Sequence, residues 1–195
     1  PVVSAVRRLR HVSGDVLEPD SLAAAMEGVV VVFHGAGRVS HSPEDASSLF
    51  KLHVTGTNNV LDAAEAAGIK RVVYISTSGT IAVSDDLNRI ADEDAEPPLP
   101  FVKAWPYYRS KLFAEQAALS RSSQSFPIIS LNPSLLLGPG DLPDGQSTAS
   151  VRHFLDGDIP ASPPGGLSFV DVRDVAEAVS YTHLTLPTTY TVGLA

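Results

Sequence analysis

Tyr107 and Lys111 have the types and spacing to move a proton, and the hydroxyls of Ser76, Thr77 and Ser78 cluster at a strand end. Tyr107 and Lys111 stand in the run Trp105-Pro-Tyr-Tyr-Arg-Ser-Lys-Leu-Phe-Ala-Glu115, and Thr77 follows the strand-like run Arg71-Val-Val-Tyr-Ile-Ser76. Four residues along a helix advance just over one turn, so Tyr107 and Lys111 share a face. An ammonium close to a phenol favours the phenolate, so Lys111 is expected to lower the Tyr107 pKa and ready it for proton transfer near neutrality. A hydroxyl at the strand end could hold an oxygen on which charge builds. The Tyr-x-x-x-Lys spacing occurs in many ordinary helices. Its weight comes from the order of the elements around it.

Those elements alternate. Arg10 to Val16 reads as a short strand and turn. Pro19 to Gly28 reads as a helix with Asp20 as its N-cap and Gly28 as its stop. The continuous apolar run Val29-Val-Val-Val-Phe-His34 predicts a strand buried on both faces of a parallel sheet. A long helix is expected from Glu44 to Ala67, ended by Gly68, then a strand from Val72 to Ile75 and a helix from Tyr107 to Leu119. Pro127 to Leu131 predicts a further strand, stopped by Asn132-Pro133. This alternation implies a parallel sheet with right-handed crossovers, an α/β, doubly wound architecture. From Gly138 to Gly166 the chain turns rich in Pro, Gly and Asp, with a helical patch near Val151 to Leu155, which marks departure from that core. Phe169 to Ala176 reads as a strand passing into a helix.

The bulk composition narrows the function classes. The chain has 195 residues, 44% of them hydrophobic, enough for one domain with a core. Its formal charge of −8 argues against nucleic acid or an anionic membrane as partner, and no apolar run is long enough to span a bilayer. With no cysteine, disulfides and thiolate metal sites are excluded. The six histidines lack His-x-x-x-His spacing, so no metal is expected. A cytoplasmic protein acting on a small molecule is the expectation. Oligomeric state is open, and a homodimer is compatible with the sequence.

Taken in order, the motifs resemble the extended branch of the short-chain dehydrogenase/reductase superfamily, the NAD-dependent epimerase/dehydratase family. The resemblance runs from about Arg10 to about Val179. It implies a Rossmann-like fold, an NAD or NADP cofactor, and Thr77, Tyr107 and Lys111 as the catalytic set. Asp15 and Val16 match the segment after the third strand, where the family's Asp meets the adenine edge. His34, Gly35, Ala36 and Gly37 match the fourth-strand loop, whose backbone lies against the cofactor. Ser76, Lys111, Asn132, Pro133 and Ser134 complete the implied cofactor contacts, Lys111 through the nicotinamide ribose. His53-Val-Thr-Gly-Thr-Asn-Asn-Val-Leu61 resembles the family's Asn-Val-x-Gly-Thr helix, with His53 in place of the first Asn.

Two details select a branch. Asn132-Pro133 resembles the dihydroflavonol-reductase and hydroxysteroid-dehydrogenase groups, whereas sugar-nucleotide epimerases usually carry Arg-Pro there. Ser78-Gly79 follows Thr77 where 4,6-dehydratases carry Asp-Glu, which removes the acid–base pair used for water elimination. A reductase of a ketone or aldehyde is therefore the first reading. A sugar-nucleotide epimerase and a non-catalytic dinucleotide sensor are the alternatives. Ser76 and Ser78 are rivals to Thr77, and Tyr108 is the rival to Tyr107, although its four-residue partner is Leu112 and it reads as packing. Trp105 reads as packing or as pocket wall. Asp171 and Asp174 around Arg173 read as a surface ion pair or helix cap.

No Gly-x-x-Gly-x-x-Gly turn occurs, so the first βαβ unit is expected to lie before Pro1, and the sheet reads as incomplete. On this reading residues 1–137 are a partial dinucleotide-binding domain and 138–179 the start of a substrate-binding region. Without its first two strands, the segment near His11-Val12 has no partner, and the Val29–His34 strand becomes an exposed apolar edge. The NAD-versus-NADP choice is normally set at the end of the second strand and is not legible. Residues 180–195 are abruptly Thr-rich and are expected to break the preceding helix as a non-native tail.

Overall fold

Prolines open the helices and left-handed glycines follow their ends. In a computed structural model that describes residues 10–86, 88–141, 145–159, 161, 165–185 and 191–194, α1 (Pro19–Ala25) and α5 (Pro106–Ser120) begin with proline in the first turn. Gly28 after α1 (φ 73°) and Gly68 after α3 (Gly56–Ala66; φ 68°) adopt a backbone conformation that side chains with a Cβ resist. Three parallel strands lie between these helices: β1 (Val31–His34), β2 (Arg71–Ile75) and β3 (Ile128–Pro133). Val32 pairs with Val72, and Val72 with Ile128. A fourth strand, β6 (Thr191–Leu194), pairs in parallel with β3, giving the order β1-β2-β3-β6. The remaining helices are α2 (Ala46–Phe50), α4 (Leu99–Val102), α6 (Gln146–Leu155) and α7 (Val172–Thr185). A separate parallel pair joins β4 (Leu135–Leu137) to β5 (Phe169–Asp171).

Alternation along the strands divides the core between the two faces of the sheet. Val72, Tyr74 and Ile128 meet Leu22, Leu61 and Ala114 of α1, α3 and α5 in one cluster. The opposite face is covered by α7, which packs on β2 and β3 and buries Val175. Helices on both faces of a parallel sheet make the fold Rossmann-like and doubly wound, as the alternation predicts.

Several local expectations change. Arg10 to Asp15 form no strand, and the turn falls at Val16 and Leu17. The N-cap of α1 is Glu18, without a side-chain capping bond; Pro19 takes the first helical position and places Asp20 inside the first turn. The predicted helix from Glu44 to Ala67 is a composite. A 3-10 turn (Pro43–Asp45) leads into α2, and a π-helical turn (Lys51–Thr55) joins α2 to α3. The apolar run at 29–34 is not buried on both faces: β1 is the sheet edge, with Val30 61% and Phe33 49% exposed. Asn132-Pro133 does not stop β3 but ends it from within, since a proline at the last strand position forfeits little. The predicted break at Ser180 is absent, because α7 continues to Thr185. Residues 186–190 and 195, like Pro1 to Leu9, lie outside the described residues.

Gly56 marks a tight contact between α3 and the turn before α1. A Cβ there would lie 2.8 Å from Val16 Cγ2, and Val is stiff about its first torsion. Gly56→Ala gains about 1 kcal/mol of helix propensity but incurs about 1–3 kcal/mol of overpacking. Net destabilisation is expected, read as a lowered urea midpoint. An unchanged or raised midpoint would show that the Val16 turn yields freely.

Candidate active site

The carboxyl ends of β1, β2 and β3 carry the site, where open α/β sheets place their ligands. Behind β2, Thr77 remains extended (φ −158°, ψ 149°) before the chain tightens into a 3-10 turn at Ser78–Thr80. The Thr77 carbonyl accepts from Thr80 N at 3.1 Å and Thr80 Oγ1 at 2.8 Å, which fixes the strand end. Helix α5 brings Tyr107 to this point. Thr77, Tyr107, Ser76, Pro133 and Ser134 line one cleft of about 890 Å³. Its far wall is largely apolar, with Leu135, Leu136, Val151, Phe154 and Phe169, and Ser147, Ser150 and His153 of α6 also line it.

Lys111, one turn further along α5, is 6% exposed. Its ammonium donates to the Ile75 carbonyl at 2.7 Å and sits 4.6 Å from the Tyr74 ring centre. Burial lowers its pKa to about 8, opposed by the nearby Glu115 charge. The expected lowering of the Tyr107 pKa by Lys111 is not what the geometry gives. Burial, and next the neighbouring Tyr108, push Tyr107 up to about 12, against a smaller opposing effect of the Thr77 side chain. The phenol is held protonated, as a donor and not as a ready phenolate.

Behind Lys111 lies a polar cluster that the sequence did not announce. Glu115, 4% exposed, accepts from Ser76 Oγ at 2.5 Å and from Asn132 Nδ2 at 2.9 and 3.0 Å. Asn132 Nδ2 also donates to Thr80 Oγ1 at 2.7 Å, and Asn132 Oδ1 accepts from Ser130 Oγ at 3.2 Å. The polar atoms of Ser76 and Asn132, two expected cofactor contacts, are thus turned inward to a buried carboxylate. The signal in the sequence was the i, i+4 spacing of Lys111 and Glu115, but nothing local says which strand ends the carboxylate would meet.

The loop after β1 presents Gly35, Ala36 and Gly37 to solvent, while the His34 side chain turns inward to Thr57 Oγ1 at 2.9 Å. His53, at the centre of the π-helical turn, is 1% exposed. Its Nε2 accepts from the Arg38 amide at 3.1 Å and its Nδ1 meets Ser110 Oγ at 2.8 Å. Asp15 is exposed, with its Oδ1 accepting from Leu17 N at 2.8 Å, and the Val16 carbonyl accepts from Asn59 Nδ2 at 2.9 Å. The rivals Ser78 and Tyr108 also line the cleft. Tyr108 stacks on the exposed Trp105 with centroids 5.5 Å apart and packs on Gly79, where a Cβ would fall 2.1 Å from its ring. Asp171 holds Arg173 through side chain and backbone, both ion pair and cap at the start of α7.

These residues suit a nicotinamide dinucleotide. Ser134 Oγ is buried without a hydrogen-bond partner beside the cleft, a polar atom left for a ligand to satisfy. The exposed Gly-Ala-Gly backbone can be approached closely, because a Cβ at Gly35 would meet nothing nearer than 3.7 Å. Among the described residues no cluster of metal-ligating side chains occurs, and no helix is long and apolar enough to cross a membrane.

Two buried neutral histidines make folding acid-sensitive. Burial first, and then the Lys111 charge, lower both His34 and His53 to about 4. The unfolded chain takes up these protons near pH 6.5, whereas the folded chain resists until about pH 4, so stability falls as pH drops through that window. The loss between pH 6.5 and 4 should be on the order of a few kcal/mol. Denaturant melts across this range should show it, and His34→Gln should flatten the profile. A stability independent of pH there would refute it.

The sequence profile of the NAD dependent epimerase/dehydratase family matches residues 2–193. The chain is 38% identical over 165 residues to a Synechocystis sp. protein named "Putative dihydroflavonol 4-reductase", covering 85% of this chain and 47% of that one. It is 33% identical over 179 residues to cinnamoyl-CoA reductase 2 of Arabidopsis thaliana, covering 88% and 53%. The chain thus spans about half the length of the curated relatives it matches. The structure of Thermus thermophilus UDP-glucose 4-epimerase in complex with NAD superposes with a TM-score of 0.77 at 26% identity, covering 96% of this chain and 64% of that one. Another solved relative holds NADPH. With its motifs in order on a parallel sheet and its profile matched nearly end to end, this chain belongs to the NAD-dependent epimerase/dehydratase family.

Proposed function

We propose that the protein reduces a ketone or aldehyde with a reduced nicotinamide cofactor. The observation that carries this reading is the convergence of Thr77 and Tyr107 on one cleft with a largely apolar far wall, above the buried Lys111. When bound, the cofactor supplies a hydride to the carbonyl carbon. Tyr107 gives its phenolic proton to the carbonyl oxygen and recovers one from solvent. With its pKa pushed up to about 12, it is protonated throughout the neutral range. Thr77 Oγ1 donates to the same oxygen as charge develops there. Lys111, Ser134 and the Gly35–Gly37 backbone hold the cofactor. Both curated relatives described above carry reductase names, which favours reduction over epimerisation.

A sugar-nucleotide epimerase is the second reading, favoured by the overlap with the Thermus enzyme. The apolar wall of Leu135, Leu136, Phe154 and Phe169 speaks against it, because a sugar diphosphate asks for donors and cations.

Tyr107→Phe removes the proton and little volume. In the complete protein it should lower kcat by about 10²–10⁴-fold in carbonyl-dependent NADH or NADPH oxidation. Cofactor affinity should remain within a few-fold by fluorescence titration. Full turnover in the variant would refute Tyr107 as donor, and interconversion of UDP-sugars by the wild type would select the second reading.

A further inference from the structure

A buried polar contact outside the proposed chemistry belongs to His53, which is 1% exposed. It lies on the π-helical turn Lys51–Thr55, between the glycine loop after β1 and the opening turn of α5. One tautomer accounts for both of its contacts. Nε2 accepts from the Arg38 backbone N–H at 3.1 Å, so the ring proton is on Nδ1. Ser110 Oγ spends its own hydrogen on the Tyr107 carbonyl at 2.8 Å, and so accepts from Nδ1 at 2.8 Å. A continuous chain of hydrogen bonds therefore runs from Arg38 through His53 and Ser110 to the backbone of Tyr107. Two further observations place the ring here. Gly37 leaves room for it, since a Cβ would lie 3.3 Å from His53 Nε2. The Tyr107 ring meets it edge-on, with centroids 5.8 Å apart and planes at 77°.

We propose that His53 is a positioning residue that locks the glycine loop to the helix carrying Tyr107, keeping cofactor and proton donor in register. This rests on the reduction proposed above. It assigns work to a residue that touches neither substrate nor cofactor, at the position where the family motif differs in this chain. A π-helical turn suits the task, because its extra residue pushes one side chain out of the α-helical series. His53 is buried on this turn, and its two nitrogens reach different elements, Nε2 the loop after β1 and Nδ1 helix α5.

Substitutions can cut the two links separately. In His53→Asn the amide keeps a donor close to the place of Nδ1 but falls short of the Arg38 N–H. In His53→Gln the side chain reaches the place of Nε2 with an acceptor. Ser110→Ala cuts the link to Tyr107 alone. In the complete protein, His53→Asn should raise the Kd for the nicotinamide cofactor about tenfold, the scale of one lost hydrogen bond, with kcat nearly kept. His53→Gln should restore that Kd, while Ser110→Ala should lower kcat about tenfold and leave Kd nearly unchanged. Wild-type Kd in His53→Asn would overturn the proposal, as would equal losses of Kd and kcat in all three variants. If the wild type binds cofactor but reduces no carbonyl, the proposed reaction fails, and the Kd pattern across the two His53 variants still decides the role of His53.

Discussion

A carboxylate buried beneath a helix sets the spacing of this site. Glu115 lies in the interior, where an unpaired charge would be costly, and its oxygens are satisfied by donors from two different strand ends. Ser76 comes from the end of β2 and Asn132 from the end of β3, so one side chain of α5 fixes the helix against both. Lys111, one turn earlier, repeats the fastening with its bond to the Ile75 carbonyl. The distance from Thr77 to Tyr107 follows from these anchors, because one residue adjoins the strand end and the other opens the helix. The residues facing the cleft are few, and the residues that aim them are buried behind it.

This arrangement also explains the inverted acidities. Lys111 and Glu115 are taken from water together, one turn apart, which reduces the charge of the buried set as a whole. The ammonium faces a carbonyl and an aromatic ring, both of which favour a cation, yet burial still lowers its pKa to about 8. Tyr107 is not directly paired with it and is pushed upward by burial and next by Tyr108, against a smaller effect of Thr77.

Much of the fold was legible because periodicity is local information. β2 and α5 lie nearly where their apolar patterns place them, and Tyr107 and Lys111 share a face because helical geometry allows nothing else. Burial was less legible, since the run at 29–34 reads as a central strand while its neighbours decide whether it is one. Phe33, on the edge strand β1, is half exposed. Ser76 and Asn132 were found as site residues by motif, but their inward hydrogen bonds depend on a glutamate 39 and 17 residues away in sequence. His53 was visible only as a departure from a motif. Its partners Arg38 and Ser110 are 15 and 57 residues distant, beyond any local pattern.

The contact between Gly79 and Tyr108 restricts the order in which this site can change over generations. The ring occupies the space that any side chain at position 79 would need, so every replacement of the glycine is obstructed while the tyrosine stays. A smaller residue at 108 leaves a gap at a half-buried position, whereas a Cβ at 79 falls 2.1 Å from the ring and requires it to move. Loss of the aromatic ring must therefore come first, and a larger residue at 79 second. A lineage that has taken the second step cannot easily return to tyrosine, which makes the pair a one-way gate in the history of the cleft.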